Sequence, residues 1–243
     1  MTKLVRVVLI DPSHPGNIGS VARAMKNMGL DDLVLVRPRS FPHSDAVTLA
    51  AGADDVLRQA RVVGSIAEAI ADCGFVAGTT SRPRSHNWDF LTPRDLAGRV
   101  CGLLPESRAA LLFGSERFGL ANEDLQYCNV LVRIPANPAY CSLNLAMSVQ
   151  LIAYELYVEW THPESAVQFE RPLATGAEMA LFYSHLQRVL DQIAFEDRNG
   201  SGHLMTRLKR LFNRSQMDQN EINIMRGIFT AIEGRRRTAK ARD

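Results

Sequence analysis

The chain has 243 residues, 46% of them hydrophobic and 22% charged, which is enough to bury a core without disulfides or a structural metal. It contains no run of about 18 apolar residues and no apolar leader, so we expect a cytoplasmic protein that makes no membrane contact. The formal net charge is only +2, yet residues 198–243 carry a net +7 and the first 197 residues a net −5. An acidic body with a basic end is typical of a protein that binds a polyanion.

Short β-branched runs alternate with helical patterns over the first 160 residues. The predicted strands are Leu4–Ile10, Asp32–Val36, Val62–Val63, Phe75–Ala77, Ala110–Phe113 and Val130–Ile134. The predicted helices begin near Ile18 and then cover Thr48–Ala53, Ser65–Ala71 (with a Ser65–Glu68 capping box), Pro93–Leu104 and Leu143–Trp160. This alternation predicts an α/β fold with a mostly parallel sheet and helices on both faces.

Beyond the alternating region only helical patterns occur. Apolar residues recur at helical spacing over Met179–Ile193, Leu204–Phe212 and Ile222–Ile232, and Asp218 with Glu221 is predicted to cap the last of these helices. The basic end 235–242 is expected to be frayed. We therefore divide the chain into a body (1–160), a polar linker (161–176) and a basic helical extension (177–243).

The cysteines and histidines are widely scattered and form none of the spacings typical of a metal site. We expect no metal, and we interpret four residues as reduced thiols that fill space in the core: Cys73, Cys101, Cys128 and Cys141.

Three strand-to-helix turns contain glycine, and ligands bind at such turns in open α/β sheets. The first, 11–23, lacks both the G-x-G-x-x-G pattern and a Walker lysine, which disfavours a standard dinucleotide or ATP loop. The second, 112–120, places two glycines around Glu116, and the third, 134–146, places Ser142 where a helix N-cap is expected. Each has a purely structural alternative: a solvated Arg23, a surface turn at Glu116 and a capping role for Ser142.

Taken together and in order, the three turns resemble the motifs of the SPOUT superfamily of RNA methyltransferases, in the branch that methylates ribose 2′-hydroxyls. The matching patterns are Asn-x-Gly-x-x-Ala-Arg at 17–23, Phe-Gly-x-Glu-x-x-Gly-Leu at 113–120, and Ile-Pro through Ser-Leu-Asn-Leu-Ala at 134–146. The third has Leu where Val is commoner, which is a mild departure. The resemblance covers about residues 3–160, and the run 7–37, the turn 78–81 and the helical extension look most like the TrmJ-type tRNA methyltransferases.

The resemblance implies a SPOUT-type parallel sheet with a C-terminal trefoil knot, which the sequence periodicity does not itself predict. It also implies a homodimer and a tRNA substrate. The methyl donor would be S-adenosylmethionine, and the acceptor would be the ribose 2′-hydroxyl of cytidine or uridine at position 32, where the anticodon loop begins.

Site residues follow from the same resemblance. The donor would be held by Thr79, Thr80, Ser81, Gly114, Ser115, Gly119, Leu120, Ile134, Cys141, Ser142, Leu143 and Asn144. Arg23 would position the 2′-hydroxyl and its phosphate, and because arginine stays protonated we favour charge stabilisation and leave a role as base open. Ser142 would either hydrogen-bond the acceptor ribose or fix Arg23, while Asn17 and Glu116 would orient the site.

RNA contacts are expected at the catalytic Arg23 and in two further places. The first place is the segment in which Arg82 and Arg84 precede Trp88, because arginine commonly binds RNA phosphates and tryptophan commonly stacks on a base. The alternative is a solvated loop with one anchored tryptophan. The second place is the extension, through Lys209, Arg210 and Arg214.

The long helix Leu143–Trp160 is expected to contribute to the dimer interface, with burial beneath the sheet as the alternative. The interface residues would be Tyr154, Leu156 and Tyr157.

Two other functions were weighed. A nucleotide-dependent dehydrogenase is disfavoured because the G-x-G-x-x-G loop and the acidic residue after the second strand are missing. A non-catalytic RNA-binding protein on a SPOUT scaffold is the remaining alternative, against which the presence of Arg23 and Ser142 argues.

Overall fold

The computed structural model describes residues 5–81, 88, 90–103, 107–162, 171–195 and 203–240, the last six by their backbone only. Its described strands form one sheet in the order β3-β2-β1-β6-β4-β7-β5, and every described pairing is parallel. The strands are β1 (Val5–Ile10), β2 (Asp32–Val36), β3 (Arg61–Val63), β4 (Phe75–Thr79), β5 (Phe90–Leu91), β6 (Ala109–Phe113) and β7 (Val130–Val132).

Helices cover both faces of the sheet. They are α1 (Pro15–Asn27), α2 (Ser44–Ala50), α3 (Asp54–Gln59), α4 (Ile66–Ala69), α5 (Pro93–Cys101), α6 (Leu145–Thr161), α7 (Gly176–Gln192), α8 (Leu204–Ser215), α9 (Gln219–Lys240) and a 3-10 turn at Asp124–Tyr127. Along β1, Val5, Val7 and Leu9 join the core beneath α1, α2, α3, α5 and α6, whereas Val8 and Ile10 join the core beneath α4 and the 3-10 turn. The predicted α/β class with a parallel sheet is confirmed, and the trefoil knot stays a prediction.

Several details differ from the sequence-based expectation. The predicted helix 48–53 covers only the end of α2 and the break before α3, because Ala51 and Gly52 adopt positive φ angles of 46° and 94° that interrupt the helix. Strand β5 was not predicted, since two residues are too few to show periodicity. The helix cap near residue 142 is Asn144, whose side chain accepts a hydrogen bond from the Ala146 N–H (2.9 Å), so Ser142 is not the cap. Leu156 is fully buried under the sheet and does not belong to an exposed face.

A buried arginine ties the amino ends of the strands together. Arg6 is 2% exposed, and its guanidinium contacts Asp32 (2.9 Å), Asp72 (2.5 Å) and the Ala69 carbonyl oxygen (2.7 Å). Because the charge has both carboxylate and carbonyl partners, the strand tolerates it in an otherwise apolar run.

The helical extension has its own small hydrophobic core, and side-chain caps mark where α7 and α9 begin. Phe182, Leu186, Ile222 and Phe229 lie at its centre. Asp218 and Glu221 exchange backbone and side-chain hydrogen bonds of 2.9 and 2.8 Å at the start of α9, as predicted. The expectation of a frayed end is wrong for the backbone, because α9 continues as a helix to Lys240.

Asn213 of α8 joins the extension to the body. Its side-chain nitrogen donates to the Gln126 carbonyl oxygen (2.6 Å), and its own carbonyl oxygen accepts from the Asn129 side chain (2.9 Å). Tyr183 of α7 donates its hydroxyl to the Asn213 side chain (2.7 Å). Since Asn213 is buried, these directional bonds fix how α7 and α8 sit against the sheet. Across the described ranges, no helix is both long and apolar enough to cross a membrane.

Candidate active site

The three glycine-bearing turns meet at the carboxyl edge of the sheet, following β1, β6 and β7. They enclose a cavity of about 520 Å³, within the usual range for small-molecule sites. Thirteen of the residues expected to form the site line it: Asn17, Thr79, Thr80, Ser81, Gly114, Ser115, Glu116, Gly119, Ile134, Cys141, Ser142, Leu143 and Asn144.

Two of the expected residues lie elsewhere. Leu120 is 1% exposed and packs in the core below the second turn, so it supports the cavity wall without lining it. Arg23 is on the exposed face of α1, in a separate shallow hollow between α1 and α6. That hollow is lined by Ser20, Arg23, Ala24, Asn27, Ala146, Met147, Gln150 and Leu151.

The Glu116 carboxylate joins the second turn to the first. One oxygen accepts from the Ser13 N–H (3.0 Å) and hydroxyl (2.8 Å), and the other from the His14 N–H (3.2 Å) and the Asn17 side-chain nitrogen (2.9 Å). The Asn17 side-chain oxygen in turn accepts from Asn144 of the third turn (3.4 Å). All three turns are therefore held in register by one side-chain network.

The same network keeps Glu116 ionised. Burial of the carboxylate raises its pKa, but the hydrogen bonds from Asn17 and Ser13 outweigh that effect and lower the pKa to about 2. A carboxylate with so low a pKa is a poor general base near neutral pH. Glu116 therefore anchors the second turn to the first.

Glycine is required at two positions of the second turn. A Cβ at Gly114 would overlap the backbone of Gly119 and Leu120. Gly119 itself has φ +65°, a conformation that side chains disfavour. At Gly19 of the first turn glycine is required for a different reason. A Cβ there would overlap the backbone of Ala46, so Gly19 permits close packing of α1 on α2.

The floor of the cavity is formed by the end of β4. The Thr79 hydroxyl donates to the Leu112 carbonyl oxygen (3.0 Å), and the Thr80 N–H donates to the Val132 carbonyl oxygen (3.0 Å). These bonds fix the 79–81 turn between β6 and β7.

The expected RNA contacts have mixed outcomes. Arg82 and Arg84 lie outside the described residues. Trp88 is only 9% exposed and lies under the Arg210 guanidinium (4.9 Å to the ring centre), so its ring is anchored and is not an exposed platform for a base.

On α8, Arg214 is exposed, whereas Lys209 is half-buried and its ammonium donates to the Gln126 side chain (3.3 Å). Partial burial lowers the pKa of Arg210, and so do the neighbouring Arg214 and Arg207, which marks a cluster of positive charge.

The cavity rim also includes Arg117 and Phe118, both exposed, to which the sequence analysis assigned no individual role. They occupy the two unspecified positions between Glu116 and Gly119 in the second motif, so the pattern gave no reason to select them. The missed signal was an aromatic beside an arginine at the tip of a glycine-closed turn. Within the described part of the chain, no group of three or more His, Cys, Asp or Glu side chains could hold a metal ion.

Replacing Glu116 tests the anchor. We expect Glu116→Gln to lower the free energy of unfolding by about 2 kcal/mol at pH 7, because charge-assisted hydrogen bonds from the first turn to the second are lost. Since the folded pKa is depressed to about 2, the wild-type advantage should shrink as the pH falls from about 4.5 towards 2. Urea denaturation at several pH values measures both effects.

Glu123→Gln, which removes an exposed carboxylate on the same side of the sheet, is the matched control and should leave stability nearly unchanged. Equal stability of the Glu116→Gln and wild-type proteins at pH 7 would contradict the anchoring role.

Comparison with known proteins identifies the family. Residues 4–154 match the SpoU rRNA Methylase family, and residues 177–243 match the C-terminal domain of the tRNA methyltransferase TrmJ. The tRNA (cytidine/uridine/adenosine-2′-O-)-methyltransferase TrmJ of Pseudomonas aeruginosa is 46% identical over 96% of this chain and 95% of the relative. The tRNA (cytidine/uridine-2′-O-)-methyltransferase TrmJ of Escherichia coli K12 is 44% identical over 99% of this chain and all of the relative.

Solved structures agree with these matches. The crystal structure of TrmJ from Z. mobilis superimposes with a TM-score of 0.83 at 36% identity, covering 94% of this chain and 98% of that one. A more distant structure, described as giving insights into the 2-OH methylation of C/U34 on tRNA, has a TM-score of 0.53 at 27% identity and covers 65% of this chain and 96% of that one. With the three motif turns gathered around one cavity, these near full-length matches show that the chain belongs to the SpoU methylase family, in the group formed by its TrmJ relatives.

Proposed function

We propose that this protein transfers a methyl group from S-adenosylmethionine to the ribose 2′-hydroxyl of cytidine or uridine at position 32 of tRNA. The observation that carries the proposal is the single cavity formed by the three motif turns, in a chain whose curated relatives are named as tRNA 2′-O-methyltransferases along nearly their full length. Position 32 rests on the resemblance of the motifs to TrmJ-type enzymes.

The cavity fits the proposed donor in size and in lining. Its volume of about 520 Å³ suits a nucleoside-sized ligand, and the glycines and short side chains of its wall leave backbone groups to recognise an adenine. Gly114 in particular cannot carry a side chain, because the turn closes against it. The donor supplies an activated methyl group on a sulfonium, so the protein has mainly to position the acceptor oxygen.

The residues of the cavity divide this work. Ser142 is exposed at the cavity wall, where its hydroxyl can hydrogen-bond the acceptor ribose. Asn17 and Glu116 hold the first turn in place. Arg23 supplies the positive charge that orients the 2′-hydroxyl and the adjacent phosphate and stabilises the developing alkoxide.

We further propose a homodimer, because Arg23 lies outside the cavity that its own chain forms. The hollow beside Arg23 continues into an exposed apolar stripe on α6, comprising Met147, Leu151, Tyr154 and Tyr157, of which Met147 and Leu151 also line the hollow. Packing this stripe against a second copy would remove apolar surface from water and bring Arg23 towards the partner's cavity.

Mixing two inactive variants tests the shared site. Arg23→Ala and Ser142→Ala should each fold and lose methyl transfer, since both residues are exposed and neither supports the core. In a mixed dimer one cavity keeps both residues, so co-refolding equal amounts should restore about a quarter of wild-type activity. Wild-type turnover by either single variant would remove that residue from the mechanism. Absence of recovery in a verified mixed dimer would place Arg23 and Ser142 in the same chain's site.

Mapping the methylated nucleotide tests the reaction. Incubation with tRNA and labelled donor should place the label on nucleotide 32, and the adjoining phosphodiester should resist alkali because its 2′-oxygen is blocked. Label at position 34, the site named for the more distant solved structure, would overturn the proposed position but not the chemistry. tRNAs with C, U or A at position 32 would determine whether this chain shares the adenosine activity named for its Pseudomonas aeruginosa relative. tRNA binding without any methyl transfer would favour the non-catalytic alternative.

We propose that the extension, residues 177–243, forms a second tRNA-binding surface. It is joined through the linker 161–176 to the methyltransferase body 1–160. The exposed Arg207 and Arg214 flank the half-buried Arg210 on α8, and their mutual repulsion is relieved when a polyanion binds. Lys209 and Arg210 are less suitable for a test, because both also pack against the body.

The double variant Arg207→Gln/Arg214→Gln should therefore weaken tRNA binding and reduce the slope of log affinity against log salt by about 0.7–0.9 for each phosphate contact removed. Arg58→Gln, an exposed arginine on α3, is the control. Equal affinity and salt dependence for the double variant and the wild type would exclude this surface from tRNA binding.

A further inference from the structure

The second turn presents an exposed arginine–aromatic pair at the rim of the cavity. Ser115 and Gly119 form an isolated bridge across the turn, closed by a 2.8 Å hydrogen bond from the Gly119 N–H to the Ser115 carbonyl oxygen. Arg117 and Phe118 therefore lie at the tip of a short, backbone-closed loop. Glu116, immediately before them, is fixed by four hydrogen bonds from the first turn. Hydrogen bonds within the turn and to the first turn therefore fix the main chain on which Arg117 and Phe118 are carried.

Phe118 is 61% exposed, although its neighbours along the turn are fixed. The Arg117 guanidinium lies 5.1 Å from the centre of its ring, and among the described residues no carboxylate lies within ion-pairing distance of Arg117. The pair gains a cation–π contact but neither burial nor an ion pair, so most of the ring and the charge of the guanidinium are available to a ligand that is both aromatic and anionic.

The charge of Arg117 distinguishes between the two ligands of the proposed reaction. The donor carries a sulfonium and an ammonium against a single carboxylate, so its net charge is positive, whereas RNA supplies a phosphate for the arginine and a base for the ring. Single-stranded RNA loops are commonly recognised by stacking of splayed bases on aromatic side chains and guanidinium planes. The anticodon loop proposed as the substrate is such a loop.

We propose that Arg117 and Phe118 form a stacking platform for one nucleobase of the tRNA anticodon loop, with Arg117 also contacting a backbone phosphate. The platform rests on the proposed function, which brings the loop to this cavity. Because the turn is already ordered, stacking on Phe118 costs little conformational entropy. Phe118 is a substrate-binding residue, and donor binding does not depend on it.

The test measures tRNA and donor affinities separately on the full-length protein. Phe118→Ala should raise the Kd for tRNA about 5- to 100-fold, the range expected when one base loses its stacking partner, and should leave the Kd for S-adenosylmethionine unchanged. Phe118→Trp should restore tRNA binding, and its added fluorescence should be quenched by tRNA but not by the donor. Val62→Ala, which shortens an exposed apolar side chain on the far edge strand β3, should bind tRNA as the wild type does.

Abasic substitutions in an anticodon stem-loop RNA locate the stacked base. At the stacked position, removing the base should weaken RNA binding by the wild type but not by Phe118→Ala, because that variant has already lost the stacking contact. At other positions, the loss of affinity from the abasic substitution and the loss from Phe118→Ala should add. Three results would each overturn the platform. The first is an unchanged tRNA affinity of Phe118→Ala, and the second is additive losses of affinity at every loop position. The third is a weakened donor affinity of Phe118→Ala with a normal tRNA affinity. A protein that shows the predicted Phe118 effects on binding but methylates no tRNA would refute the proposed reaction and leave the platform standing.

Discussion

The Glu116 carboxylate is the interaction on which the site depends. It connects turns whose residues are 99 to 103 positions apart in the sequence, and it can do so because β1 and β6 are parallel neighbours whose carboxyl ends lie side by side. A half-buried carboxylate without donors would be costly, whereas four donors make the ionised form the stable one. The position that looks catalytic in the motif is therefore best understood as a charged anchor, and a catalytic base has to be sought elsewhere.

The turn that Glu116 anchors has two surfaces of different chemical character. On the inner side, Gly114 and the closed turn leave a backbone-lined wall, which suits a ligand recognised by hydrogen bonds to main-chain groups. On the outer side, the same turn carries Arg117 and Phe118 into solvent. In the proposed function, this one short loop separates the pocket for the methyl donor from the rim that contacts RNA. Because Glu116 holds the turn that carries both surfaces, its hydrogen bonds set the position of one surface relative to the other.

The sequence allowed the sheet and the membership of the cavity to be predicted, because buried strands have a local signature and the three motifs are local patterns. It did not reveal features that depend on distant partners. Arg6 could not be placed without Asp72, 66 residues away, and the burial of Trp88 depends on its packing in the sheet core and on Arg210 of the extension. Ser142 and Asn144 are two residues apart, and either residue type can cap a helix. Residue propensity does not locate the start of a helix to within one or two residues. Arg117 and Phe118 were missed for a related reason: exposure at a cavity rim is a property of the folded surface.

The position of Arg23 links catalysis to assembly in the proposed dimer. Arg23 and Asn17 both belong to the first motif, yet within one chain only Asn17 reaches the cavity, because six residues along α1 rotate a side chain well away from the helix face on which Asn17 lies. An arginine required for the reaction would then have to come from a second copy, and the apolar stripe of α6 beside it provides the surface through which that copy would attach. Burial of Met147 and Leu151 would stabilise the dimer and deliver Arg23 in the same step. In such an arrangement a dissociated chain would retain a donor pocket but would lack the charge that activates the acceptor, so an isolated subunit would not consume its methyl donor.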